Sequence, residues 1–60
     1  MNSAALIKEM KKAGWYEVRV RGSHHQFKHP DFGHTVTVPH PQKELGKGLV
    51  AAIKKQTGLK

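Results

Sequence analysis

The sequence predicts an α+β domain in the order α-β-β-β-α, a three-stranded antiparallel sheet with both helices packed on one face. Three observations carry this. Apolar residues recur at helical spacing near both ends, in Leu6, Ile7 and Met10 and again in Leu45, Leu49, Ala52 and Ile53. Between them the period changes to two, first in Glu17-Val18-Arg19-Val20-Arg21. Turn chemistry at Gly22-Ser23 and at Pro30-Asp31-Phe32-Gly33 then divides the alternating stretch into three strands.

Each element has its own signal. Ser3 is suited to N-cap the first helix, because its hydroxyl can accept from a free amide of the first turn. That helix spans residues 4–13, with Lys8, Glu9, Lys11 and Lys12 toward water. Gly14 takes the left-handed position after it, and Trp15 packs back on the helix. Gly22-Ser23 suits a two-residue type II′ hairpin, where Gly supplies the positive φ. His25-Gln26-Phe27-Lys28-His29 forms the second strand and His34-Thr35-Val36-Thr37-Val38 the third. Pro39-His40-Pro41 ends the ladder, because proline donates no backbone hydrogen bond. The last helix covers residues 46–57 and stops at Gly58. No linker, repeat or low-complexity block intervenes, so residues 1–60 read as a single domain.

The two turns fix a register. Val18, Phe27 and Val36 lie side by side, as do Val20, His25 and Val38, on the face that meets the helices. The other face shows Glu17, Lys28 and Thr35 in one row, Arg19, Gln26 and Thr37 in the next, and Arg21, His24 and Pro39 in the third. This face is open to solvent, and a one-residue slip would bury the arginines.

Composition narrows the function. Eleven Lys and Arg against four Asp and Glu give the 60 residues a net charge of +7. The isoelectric point is near 10.2. On so small a surface this points to a polyanion partner, nucleic acid before an acidic protein. The absence of cysteine excludes disulfides, thiolate metal sites and thiol nucleophiles, and fits a reducing, cytoplasmic compartment. No long apolar run occurs, so neither a signal peptide nor a membrane span is expected.

Five histidines stand out as proton carriers near neutrality. Side chains at consecutive strand positions point to opposite faces. His25 is therefore directed toward the helix-covered side, in a neutral, hydrogen-bonded structural role. His24 is directed to the open face, with Arg19, Arg21 and Lys28 gathered around it; read alone it is an ordinary exposed hairpin histidine. Glu17 pairs with Lys28 across the strands and moderates that patch. A metal site is not expected, because His24 and His25 diverge and His29 and His34 flank a turn without a third ligand in fixed spacing. Neither Ser3 nor Ser23 has an evident acid partner for a serine triad. Lys8, Lys11 and Lys12 read as a solvated helix face that could extend a nucleic-acid footprint. Lys54, Lys55 and Lys60 match the dipole at the end of the last helix.

The segments Gly22-Ser23-His24-His25-Gln26-Phe27, Val36-Thr37-Val38-Pro39-His40-Pro41 and Ile53-Lys54-Lys55-Gln56-Thr57-Gly58-Leu59, in this element order, closely resemble the HicA family of toxins over essentially the whole chain. The resemblance implies a fold like the double-stranded-RNA-binding domain, used as a metal-independent mRNA interferase without a cofactor. It also implies a HicB-type antitoxin that masks the active site and represses the shared operon. The family's active-site histidine, in its Gly-x-His segment, carries onto His24. Members with a different polar residue before the histidine would align it with His25, and strand parity selects His24. Transphosphorylation is the chemistry expected of these residues. His24 serves as general base or acid, Arg19, Arg21 and Lys28 hold phosphate, and Gly22, Ser23, His25 and His40 are supporting residues. His40 is the one evident second proton carrier, with a structural role after the third strand as its plainer reading. The alternatives are a non-catalytic double-stranded-RNA-binding module and a protein-interaction adaptor.

Overall fold

Asn2, not Ser3, caps the first helix. In the computed structural model, which describes residues 1–59, the Asn2 Oδ1 accepts from the Ala5 amide at 2.8 Å and α1 runs Ser3–Lys12. Both residues are good caps; with Asn2 in that role, the Ser3 hydroxyl is not needed as a cap, and Ser3 is almost fully buried. The helix ends in a Schellman motif. The Gly14 amide donates to Lys11 O at 3.1 Å and the Trp15 amide to Met10 O at 3.0 Å. Gly14 has φ 101°, and a Cβ there would lie 2.7 Å from the His29 Nε2. Gly14→Ala therefore meets both backbone strain and a clash. Its expected cost is about 1–3 kcal/mol, read as a lower urea midpoint with unchanged slope.

Three strands follow, β1 (Tyr16–Arg21), β2 (His24–His29) and β3 (Phe32–Pro39), in the spatial order β1-β2-β3. Only Gly22 has positive φ in the first turn, as a II′ hairpin requires; I′ would need it at Ser23 as well. The second turn is tighter than expected. Phe32 pairs with His29, so Phe32 and Gly33 belong to the strand, and the irregularity is taken up between Phe27 and His29. The helix α2 (Lys47–Thr57) starts from an N-cap at Gly46 and ends at Gly58 with φ 75°.

Leu6, Ile7, Met10, Trp15, Phe27, Val36, Val38, Leu45 and Ile53 form the core. The apolar stripe of α2 differs from expectation. Ile53 and Thr57 are buried and Val50 half-buried, while Leu49 and Ala52 are exposed. The Trp15 Nε1 donates to Thr57 O at 3.2 Å, so indole burial leaves no polar atom without a partner. Both helices pack on β3, and β1 remains largely uncovered. Val20, expected inside, is 50% exposed. No helix among the described residues is long and apolar enough to cross a membrane. Lys60 lies outside the described residues.

Candidate active site

A single-residue irregularity in β1 builds the site. Val20 pairs with His25, Arg19 with Gln26 and Arg21 with His24, as the two turns require. Between Arg19 and Glu17 the register slips, so that Glu17, not Val18, stands opposite Phe27. A bulge re-aims the side chains beyond it. Glu17 therefore moves from the open face to the helix side and leaves Lys28 opposite Tyr16. The expected Glu17–Lys28 pair is replaced by a contact of 2.5 Å between Glu17 Oε1 and His25 Nδ1.

That contact assigns the His25 tautomer. An ionised carboxylate only accepts, so Nδ1 carries the proton and donates it to Glu17. In the neutral ring, Nε2 then holds a free lone pair, the state of a general base with its orientation fixed. His25 lies on the helix side, as parity requires, but β1 is uncovered there and its ring is half-buried. The His40 ring packs edge-on against it, with centroids 4.9 Å apart and planes at 85°.

His40 is positioned from two sides. Its backbone amide donates to Ser23 O at 2.7 Å, which ties it to the hairpin. Its Nδ1 lies 2.7 Å from the buried Ser3 Oγ. Ser3 in turn accepts from the Gln42 amide at 2.8 Å and lies 3.3 Å from Gln42 O. The amide of Ser3 donates to the same carbonyl at 2.9 Å, and Leu45 N donates to Met1 O at 2.8 Å. The N-terminal residues thus pin the loop that carries His40. A surface groove of about 600 Å³ opens at His40, walled by Ala4, Ile7, Lys8, Lys11 and Lys12 of α1.

The expected site residues divide between the two faces. His24 is exposed, paired with Arg21 on one side and Pro39 on the other, and makes no side-chain hydrogen bond among the described residues. Arg19 and Arg21 share its face, as does Lys28, and all three are exposed. Gly22 and Ser23 form the turn that joins Arg21 to His24. The groove gathers a different set, His40 with Lys8, Lys11 and Lys12, and His25 with Glu17 stands behind His40. Sequence reasoning missed Glu17 and Ser3. The unbroken alternation through β1 hides the bulge, and the Asn2-Ser3 pair was the available sign that one capping residue would be spare.

The remaining histidines are structural. His29 Nε2 lies 2.8 Å from Ala13 O and its Nδ1 accepts from the Asp31 amide at 3.0 Å, which fixes a neutral tautomer. His34 Nε2 lies 2.8 Å from Gln56 O. These two rings tie the C-terminal carbonyls of α1 and α2 to the sheet and pack around Trp15.

A small α+β domain with a histidine pair beside a lysine-lined groove is the class that fold and site define. A sequence profile for the HicA toxin of bacterial toxin-antitoxin systems matches residues 3–59. The chain belongs to the HicA toxin family. Its structure is also similar to a chain of a solved HicA3 and HicB3 toxin-antitoxin complex, with a TM-score of 0.88 and 34% sequence identity. The similarity covers 100% of this chain and 97% of that one. No curated protein matches significantly.

Proposed function

We propose that this chain is the toxin of a toxin-antitoxin pair and cleaves mRNA by transphosphorylation, with His25 as general base. One observation carries the reading: His25 has its Nδ1 engaged by Glu17 and packs against a second histidine beside a groove lined by three lysines. This moves the base from His24, which strand parity favoured, to His25. Parity assigns the faces, but the helix side is a cleft at this point and not a closed core. His25 Nε2 takes the proton from a ribose 2′-hydroxyl, and the oxygen attacks the adjacent phosphorus and expels the 5′-oxygen. Lys8, Lys11 and Lys12 offset the charge of the approaching phosphates. Arg19, Arg21 and Lys28 are on the far face, where they suit distal phosphates of a strand that wraps the edge.

The protein partner is a HicB-type antitoxin. The solved relative is a complex of that kind. A partner covering the cleft would bury the half-exposed Val20 and neutralise the lysine row. A double-stranded-RNA-binding module is the weaker reading, since such modules span about 16 base pairs and the longest dimension here is 28 Å.

The test is incubation of purified protein with single-stranded RNA in EDTA. The expected products carry 2′,3′-cyclic phosphate and 5′-hydroxyl ends. Binding without cleavage would leave the RNA-binding module as the better reading, and neither binding nor cleavage would leave the interaction adaptor.

A further inference from the structure

We propose that His40 is the general acid of the cleavage step and that Ser3 is a positioning residue built to hold it in both protonation states. The proposal rests on the reading of this cleft as a ribonuclease site. Its ground is the hydrogen bonding around Ser3 Oγ. One lone pair of that oxygen accepts from the Gln42 amide at 2.8 Å. When His40 is neutral, the Ser3 hydroxyl donates to Nδ1 at 2.7 Å, and the remaining ring proton sits on Nε2. When His40 is an imidazolium, Nδ1 donates instead. The second lone pair of Ser3 then accepts it, and the hydroxyl turns to Gln42 O at 3.3 Å. Neither state leaves a buried polar group unpaired, and a hydroxyl rotation is the only change between them.

Contrast with the structural histidines gives this its force. His29 Nδ1 accepts from the Asp31 amide, which cannot reverse, so protonation of that ring breaks a hydrogen bond. The Ser3 hydroxyl is reversible because it both donates and accepts. The Ser3 hydroxyl lets the His40 ring change protonation state without losing this hydrogen bond.

The step balances. His25 Nε2 accepts the proton of the 2′-hydroxyl as the O2′–P bond forms. The imidazolium Nε2–H of His40 passes its proton to the departing O5′ as the P–O5′ bond breaks. The products are a 2′,3′-cyclic phosphate and a 5′-hydroxyl, with His25 protonated and His40 neutral until exchange with water resets both. The reacting oxygens are bonded to one phosphorus, so acid and base must be close neighbours. His25 and His40 are such neighbours, with ring centroids 4.9 Å apart.

The test uses a short RNA with one cleavable linkage, made with either oxygen or sulfur at the 5′ bridging position. A thiolate leaves without protonation, so a missing acid is rescued by sulfur and a missing base is not. His40→Gln should lose roughly 10²–10⁴-fold on the oxygen substrate and regain most of that on the sulfur substrate. Ser3→Ala should show a smaller loss with the same rescue, while His25→Gln should be slow on both. If Ser3→Ala does not fold, His40→Gln and His25→Gln decide alone. Equal loss of His40→Gln on both substrates, or none on either, overturns the assignment while cleavage by the unsubstituted protein keeps the ribonuclease reading intact.

Discussion

His25→Ala is expected to lower the single-turnover rate of RNA cleavage by roughly 10²–10⁴-fold with the fold unchanged. The loss follows from removing the one nitrogen whose lone pair is held free by a carboxylate on the opposite side of its ring. Little stability should go with it. The Glu17 side chain keeps 36% exposure and returns to water when its partner is removed, and a hydrogen bond of this kind is worth about 1 kcal/mol net. His24→Ala is the matched control on the other face and should cleave at close to the unsubstituted rate. Denaturation midpoints for both variants, measured beside the rates, keep loss of chemistry distinct from loss of structure.

Phe27→Ala is expected to cost about 3–5 kcal/mol, the largest stability effect among the substitutions considered. Phe27 is fully buried in the central strand, opposite Glu17 on β1 and Val36 on β3. At about 0.05–0.15 kcal/mol per residue, a chain of 60 residues has only about 3–9 kcal/mol in total. The truncation therefore removes from about a third to all of the stability, and there is no disulfide to limit the unfolded state. Urea denaturation followed by Trp15 fluorescence should show a strongly lowered midpoint or no transition. A shift under 1 kcal/mol would mean that the core closes over the cavity.

Much of the fold was legible because each element had a local cause. Gly14, Gly22 and Gly58 occupy the positive-φ positions that their turn and cap roles demand. Three rows of the predicted register, those of His24, His25 and Gln26, are present across all three strands. What was not legible depended on tertiary choice. Leu49 and Val50 are both apolar, and only the packing of α2 on β3 decides that Val50 turns inward. Asn2 and Ser3 compete for one cap, and the loser becomes the partner of His40.

The candidate site was half legible for the same reason. Parity separated His24 from His25 correctly, and His40 stood out as a second histidine. Parity alone could not say that the helix side is open at His25, because coverage depends on where two helices lie across three strands. Nor could it give Glu17, since one bulged residue in β1 exchanges the faces of everything before it.

RNA is expected to meet the protein on the helix side of the sheet, at the groove lined by His40 and backed by His25. The direct test is backbone and side-chain NMR shift mapping of the unsubstituted protein with a 2′-O-methyl RNA oligonucleotide, which binds but lacks the attacking hydroxyl. The expected result is perturbation centred on Lys8, Lys11, Lys12, Glu17, His25 and His40. Perturbation confined to Arg19, Arg21, His24 and Lys28 would contradict the account and return the chemistry to the open face.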